Sequence, residues 1–466
     1  VTAPAAEPLR DPVAFLREAA PWLQAAELGV CIVGSHALAI ACRAKGLPAP
    51  EPADLDLAWA LDCDAAKALL QQQGVFVPTT EGNQERGTLA MKVGGRRIEI
   101  TSFRAGHAGD PMVTRIAADL GERDMTIGAL AFELATSRLH DPANGLGDWQ
   151  QRIIVPVGNP AQRVKEHPIR WLRYYRKAHE LGFDIDRSIR RIALDAAILH
   201  RLPPEAMALE LRAMLDRCPS PGRCLLELHE AGLLEVISPE LVRQFDGRPA
   251  GPQRSHPEVS QALHLILALE WAVERTRHLD DRNRLAVRIA VLCHDLGKGY
   301  TKPEDLPSHH GHEQHGIAHV DRLLARWPGL ADQRAQSLAR DVCALHVQIL
   351  DFGNLRAGTL AQLYDRYFRP VDYPVELFAL AVAADSAGRL GAHDRGMMVC
   401  ARLTDDLGWL RKTCAKVDAA ALRRQWPDVE KFRAALHEAR AQAIAASLHE
   451  RPRAQHAAGP ADEPRT

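Results

Sequence analysis

Near residue 158 the hydrophobic pattern of this 466-residue chain changes, and that change constrains its fold more than any other feature. Before it, short apolar runs alternate with helical stretches. After it, strand patterns vanish and long Leu- and Ala-rich helical patterns take over. The expected class is therefore α+β: a mixed sheet with helices, then an all-helical remainder. Five segments follow: an N-terminal helical extension (1–28), a head (29–157), a helical neck (158–250), a helical domain (251–400) and a helical tail (401–466), disordered after Pro452. Val30 to Val33 predicts a strand, Gly34-Ser35 a turn, and His36 to Lys45 a helix. Asp54 to Trp59 predicts a second strand after a loop holding Pro48, Pro50 and Pro52. Thr88 to Val93 and Arg96 to Phe103 flank Gly94-Gly95, a strong hairpin signal.

Charge narrows the functional classes. Lys plus Arg total 58 and Asp plus Glu 59, a net charge of −1, so no chain-wide field draws in polyanions. At 5% aromatic content, a protein that grips single strands mainly by stacking is disfavoured. The nine cysteines show no CxxC spacing and read as reduced, mostly buried thiols of a cytoplasmic protein. Val1 to Arg10 has no charged segment leading into an apolar core, and no apolar run suits a membrane span. The 21 histidines are the compositional oddity.

In a strand, alternate side chains share a face. Asp54 and Asp56 then point one way while Leu55 and Leu57 point into a core. Two like charges so close call for a divalent cation, and Mg²⁺ suits one or two carboxylates plus phosphate oxygens. Glu99, between Ile98 and Ile100, is placed to add a third carboxylate. Upstream, Gly34-Ser35 opens a helix whose free N–H groups form an anion site. A phosphate turn beside metal carboxylates points to metal-assisted phosphoryl chemistry. Further on, Pro168 suits a first helical turn, and Arg170, Arg173 and Lys177 then share one face, flanked by Arg163 and Arg176.

This run resembles the DNA polymerase β-like nucleotidyltransferases, and more narrowly the bacterial CCA-adding tRNA nucleotidyltransferases and their poly(A) polymerase relatives. Supporting segments are Arg96 to Arg104, Gly121 to Leu130 (with Arg123-Asp124-Met125-Thr126-Ile127), Asp141 to Asp148, and Glu166 to Arg173. The resemblance covers about 30 to 180. It implies Mg²⁺ on Asp54 and Asp56, a triphosphate cradled by Gly34 and Ser35, and a nucleotide pocket shaped by Arg123 and Asp124. It also implies that Arg170 and Arg173, with His167, contact the incoming nucleotide. The basic neck bearing Arg163, Arg176 and Lys177 would receive an acceptor stem. CTP and ATP are the implied substrates and tRNA the implied partner. Three positions depart from the family. Leu38 and Ala39 stand where it has Arg and Asp. His167 replaces an Asp that reads the base edge and cannot present the same acceptor pair. Gly128 replaces an Asn. The expectation is slower or altered nucleotide transfer.

The helical part carries a second constellation. His294-Asp295 ends an apolar helix and precedes Leu296-Gly297-Lys298. His264 lies upstream, His309, His310, His312, His315 and His346 follow, and Asp385 comes last. Imidazole with carboxylate suits transition metals better than Mg²⁺ alone. The order resembles the HD phosphohydrolase pattern His…His-Asp…Asp, over about 256 to 390. That resemblance implies His264, His294, Asp295 and Asp385 as ligands to Ni, Mn, Co or Mg, with His294 and Asp295 catalytic. It also implies Lys298 near phosphate, and His310 and His312 as outer groups or as groups acting on the leaving oxygen. The implied activities are 2′,3′-cyclic phosphodiesterase, 2′-nucleotidase and phosphatase. The reading is a two-site RNA-end enzyme, monomeric or homodimeric and without a membrane partner. Three alternatives stand beside it: a phosphohydrolase with a transfer-inactive RNA-binding head, a nucleotidyltransferase for a non-tRNA acceptor, and a non-enzymatic RNA-binding module.

Overall fold

The computed structural model describes residues 9–52, 54–75 and 87–451, so the tail after Pro452 lies outside the described residues. The chain forms two compact units, Val1–Arg201 and Leu202–Thr466.

The first unit is built on a six-stranded sheet. Its strands are β1 (Cys31–Val33), β2 (Asp56–Trp59), β3 (Thr88–Val93), β4 (Arg96–Ser102), β5 (Ala131–Glu133) and β6 (Arg138–His140), in the order β3-β4-β2-β1-β5-β6. Only β2 and β4 pair in parallel; the remaining pairs are antiparallel. The β3–β4 hairpin turns at Gly94 and Gly95, both with positive φ, as a two-residue loop of this hand requires. Alternation then sorts the side chains. Ile32, Leu57, Met91, Ile98 and Ile100 pack on one face with Leu16, Leu23 and Leu70. Cys31, Val33 and Ala58 pack on the other with Ile116 and Leu120.

Helix α1 (Ser35–Ala44) follows β1, α2 (Met112–Gly121) covers the second face, and α3 (Ile169–Leu181) follows the head strands. Two expected boundaries move. Within the helical extension expected over 1–28, the described residues form an α-helix only at Pro12–Ala19, followed by 3₁₀ turns at Pro21–Gln24 and Ala26–Leu28, because Pro21 has no amide hydrogen to continue it. Strand pairing also continues past 158: Asp184–Ile185 lies parallel to Ile153–Ile154, a pair too short to leave a pattern in sequence.

The segment Asp141 to Asp148 is a brace for the segment Thr126–Gly128. The Asp141 carboxylate accepts from Gly145 N (2.7 Å) and Leu146 N (3.0 Å). Thr126 donates its hydroxyl to buried Asp148 (2.6 Å). A Cβ at Gly145 would collide with the Thr126 carbonyl oxygen. Gly145→Ala is therefore expected to lower unfolding free energy by about 2–3 kcal/mol through overpacking. Denaturant melts would show this, and an unchanged midpoint would refute the brace.

The second unit is helical. Its site-bearing helices are α4 (Gln261–Arg275), α5 (Asp281–Cys293), α6 (His312–Arg326), α7 (Gln333–Leu350) and α8 (Val375–Ala387). Helices Arg395–Ala415, Ala419–Gln425 and Val429–Ser447 follow. Glycine sets three close approaches. A Cβ at Gly297 would strike the His312 carbonyl, one at Gly316 would sit 2.6 Å from Cys343 Sγ, and one at Gly388 would sit 2.8 Å from Ala268 Cβ. These contacts bring the 296–300 turn onto α6, α6 onto α7, and the end of α8 onto α4. No described helix is long and apolar enough to cross a membrane, and all nine cysteines are free thiols.

Candidate functional sites

In the head, parallel pairing puts Asp56 of β2 opposite Glu99 of β4, one residue across the ladder. The two carboxylates therefore share a face, opposite buried Leu55 and Leu57. Asp54 is not in the strand as expected. It sits in a bend, exposed, because β2 begins only at Asp56. Partial desolvation, then the charges of Glu99 and Asp54, push the Asp56 carboxyl up to about 6, although its side chain still reaches solvent. That is the signature of a carboxylate cluster short of positive charge. Arg97 lies 3.1 Å from Glu99, exposed and weakly held.

Gly34 leads into α1 with φ +65° and ψ −135°, a conformation open to glycine and strained for other residues. The first turn of α1 has no side-chain cap, so its N–H groups face outward beside exposed Ser35. Leu38 and Ala39 are buried core residues of α1. The space where the family's arginine would emerge is thus filled by packing. His36 is buried, and neither ring nitrogen has a hydrogen-bond partner. Burial and then Arg43 push its imidazole down to about 4. An imidazole kept neutral in the fold but titrating near its ordinary value when unfolded contributes stability above pH 6.5, and that stability is lost as pH falls toward 4. His36→Leu should raise thermal stability by about 1 kcal/mol or more at pH 8 and by more at pH 5. Melts at both pH values test this, and an equal or smaller gain at pH 5 contradicts it.

The expected basic face of the neck is largely an ion-pair network. Arg170 is buried and donates to Asp124 (2.6 Å), Glu166 (3.2 Å) and the Glu122 carbonyl (2.8 Å). Arg173, 41% exposed, pairs with the other Asp124 oxygen at 2.8 Å. Desolvation would raise Asp124, but Arg173 and Arg170 hold it below the ordinary carboxylate range. Arg163 pairs with Glu122 (2.9 Å) and Glu166 (3.0 Å), Arg176 with Glu180 (2.5 Å), and Lys177 with Glu180 (2.8 Å). Arg123 pairs with buried Asp119 at 2.9 Å, and His167 is exposed. Glu122 and Asp124 from the head, together with the helical neighbours Glu166 and Glu180, thus neutralise much of the cationic stripe. Asp124 becomes its organiser, fixing α3 against the Arg123–Thr126 segment.

The helical unit gathers the second constellation. His264 Nε2 lies 3.2 Å from Asp385 Oδ1, 3.3 Å from His294 Nε2 and 3.5 Å from Asp295 Oδ2. His294 Nε2 lies 3.1 Å from Asp295 Oδ2 and 3.8 Å from Asp385 Oδ1. All four residues are buried. Each imidazole is oriented from behind: His294 Nδ1 donates to the Val291 carbonyl (2.7 Å), and His264 Nδ1 faces Glu258 Oε1 (3.1 Å). A ring whose Nδ1–H is so engaged turns the Nε2 lone pair toward the cluster, the tautomer a metal ligand needs. Despite desolvation, His294 and Lys298 hold Asp295 well below the ordinary carboxylate range, and His264 and His346 do the same for Asp385. Burial would lower His264, but Asp385 and Glu258 raise it to about 9, so without a metal the ring carries a second proton against the buried carboxylates; with that proton displaced, this donor set fits a divalent transition metal.

Other expected groups fall differently. Lys298 does not stand open to phosphate. It is buried, 2.7 Å from Asp295 Oδ2 and donating to the Ala250 carbonyl at 2.8 Å. His310 is exposed, whereas His309 is buried and bridges Thr301 and the Pro249 carbonyl. Sequence reasoning missed Glu258, whose one oxygen serves both His256 (2.8 Å) and His264. The signal was present in His256-Pro257-Glu258 just before α4. Among the described residues, every group of three His, Asp or Glu ligand atoms within 4.8 Å of one another lies in this unit. The head carboxylates are neighbours by register but spread wider.

A strand-borne carboxylate pair beside a glycine turn, on this mixed sheet with a helical remainder, defines the class of polymerase β-like nucleotidyltransferase folds. Residues 45–155 match the poly(A) polymerase head domain. The chain is 36% identical over 283 residues to the multifunctional CCA protein of Pasteurella multocida (strain Pm70), covering 59% of this chain and 64% of that protein. The structure superposes on a Bacillus stearothermophilus CCA-adding enzyme in complex with CTP at a TM-score of 0.64, with 19% identity, across 95% of this chain and 94% of that one. A CCA-adding enzyme with CTP gives 0.57 at 15% identity, across 95% and 100%. Its head is of the poly(A) polymerase type over residues 45–155, and the chain as a whole shares the fold of CCA-adding enzymes.

Proposed function

We propose that the chain is a two-site RNA-end enzyme. Its head transfers nucleotides from CTP and ATP to a tRNA 3′ end, and its helical unit hydrolyses 2′,3′-cyclic or 2′ phosphates. The observation that carries the transfer reading is the register pairing of Asp56 with Glu99 beside the uncapped start of α1. Asp54 and Asp56 would hold Mg²⁺, which when bound supplies charge neutralisation at the triphosphate. Gly34, Ser35 and the first α1 amides bind phosphate oxygens. Asp124 positions Arg173 at the nucleotide pocket, with buried Arg170 bracing both. Two relatives of known structure are complexes with CTP, and tRNA as acceptor rests on the likeness to CCA-adding proteins.

In the helical unit, His264, His294, Asp295 and Asp385 would hold a divalent ion, which when bound lowers the pKa of an attacking water. Glu258 and the Val291 carbonyl orient the imidazoles. In the head, Leu38 in the packing and His167 in place of a carboxylate would make nucleotide transfer slower or altered in base preference. Space at Gly128 is open, with nothing within 4 Å of a Cβ there, so the family's asparagine fits without displacing a neighbour.

Purified protein given CCA-less tRNA and each NTP separately, read at nucleotide resolution, tests the transfer reading. Template-free addition of C or A supports it. No addition of any nucleotide supports the hydrolase with a transfer-inactive head.

A further inference from the structure

We infer that a cavity among three helices of the helical unit is an anion site for a multiply charged phosphate of the size of pyrophosphate. The cavity has a volume of about 230 Å³, the room of about eight waters. It lies where the helix Pro204–Arg217 and α4 end and the early turns of α5 run past them. Arg217, Arg277, Arg284 and Arg288 line it, and Asp216 is the carboxylate among its lining residues.

The surroundings do not balance these arginines. Arg284 takes the carboxylates within reach, Asp216 Oδ1 at 2.7 Å and Asp281 Oδ1 at 2.8 Å. Arg288 is 2% exposed, and the carboxylate oxygen it reaches among the described residues is that same Asp216 Oδ1, 4.0 Å away. It spends its N–H groups on neutral acceptors: the carbonyls of Leu215 (2.8 Å), Asp216 (2.7 Å) and Val273 (3.2 Å) and the Thr276 hydroxyl (3.0 Å). Carbonyls satisfy hydrogen bonds but carry no formal charge, so a buried cation is left without a counter-ion of its own. A guanidinium has one N–H more than these acceptors use, and it belongs to Nη2. Burial and then Arg284 push this guanidinium down to about 10, with Asp216 opposing and Arg277 adding to the crowding. Arg217 and Arg277 are exposed and make no hydrogen bond or ion pair among the described residues. Four guanidinium groups thus meet two carboxylates, Asp216 and Asp281, a surplus of two positive charges. A phosphate group carries more than one negative charge and presents oxygens on several sides, so guanidinium groups from different helices can grip it together, whereas a carboxylate offers a single edge. No aromatic ring is among the lining residues, so a nucleobase has nothing to stack on and the phosphate alone is recognised.

The test is phenylglyoxal modification of arginines in the full-length protein, without added divalent metal, quantified peptide by peptide by mass spectrometry. Pyrophosphate at about ten times its Kd should slow modification of Arg217 and Arg277 about tenfold, relative to sodium chloride at equal ionic strength. Arg277→Gln, a substitution at an exposed position, should raise the pyrophosphate concentration that half-protects Arg217 about tenfold. Equal modification in pyrophosphate and in chloride overturns the site. Protection of these arginines by CCA-less tRNA but not by pyrophosphate also overturns it and makes this face an RNA contact. The reporting arginines all lie in the second unit, so an anion held by Gly34 and Ser35 in the head does not enter the readout. The parent protein decides the question even if the variant misfolds.

Discussion

Asp385→Asn will reduce hydrolysis of a 2′,3′-cyclic phosphate by a factor of about 10³ or more, while nucleotide incorporation by the head is unchanged. The substitution keeps shape and removes one negative ligand from a fully buried cluster. Asp385 Oδ1 sits 3.2 Å from His264 Nε2 and 3.8 Å from His294 Nε2, so it closes one side of the ligand set. It is a cleaner choice than Asp295, whose loss would also strand buried Lys298, 2.7 Å away, without its counter-ion. Retained hydrolysis in Asp385→Asn, with the protein still folded, would remove this residue from the site.

Asp56→Ala will reduce nucleotide incorporation by a comparable factor, about 10³, and leave cyclic phosphate hydrolysis intact. The asymmetry follows from the two units having separate charge clusters. Asp56 is the head carboxylate most crowded by its neighbours, lifted to about 6 by desolvation and by Glu99 and Asp54. Removing it relieves that repulsion, so the variant should be at least as stable as the parent. Lost activity with an unchanged or raised melting temperature distinguishes a lost ligand from a lost fold.

The residues legible in sequence are those whose role is set by local geometry. The alternation of Asp56 with Leu57 gave the facing of β2, although the strand starts later than expected and leaves Asp54 in a bend, and Gly94-Gly95 gave the hairpin. His294-Asp295 at the end of an apolar helix marked the second cluster, and all four expected ligands converge there. What stayed hidden depends on partners distant in sequence. The stripe of Arg163, Arg170 and Arg173 reads as free positive charge until Glu122 and Asp124 fold against it, joining the local partners Glu166 and Glu180 that helical spacing already supplies. Leu38 reads as a missing arginine, yet its burial shows a position given over to the core. His346 reads as one imidazole on an apolar helix face. Only the approach of α6 to α7, permitted by Gly316 beside Cys343, turns it toward His312 and Asp295.

The excess of histidine thus has a concrete use: His256, His264, His294, His309, His312 and His346 are all buried in or beside one cluster. The near-zero net charge likewise conceals local structure, an acid-rich cleft on β2 and β4 and a cationic helix already matched by its own carboxylates.

Two sites on one chain acting on the same RNA end is the central claim. It is tested most directly with CCA-less tRNA blocked by a 2′,3′-cyclic phosphate, incubated with CTP and ATP. The parent protein should open the end and extend it. Asp385→Asn should leave the blocked tRNA unextended but extend the same tRNA carrying a free 3′-hydroxyl. Equal extension of blocked tRNA by both proteins, or no extension of the free 3′-hydroxyl by the parent, would contradict it.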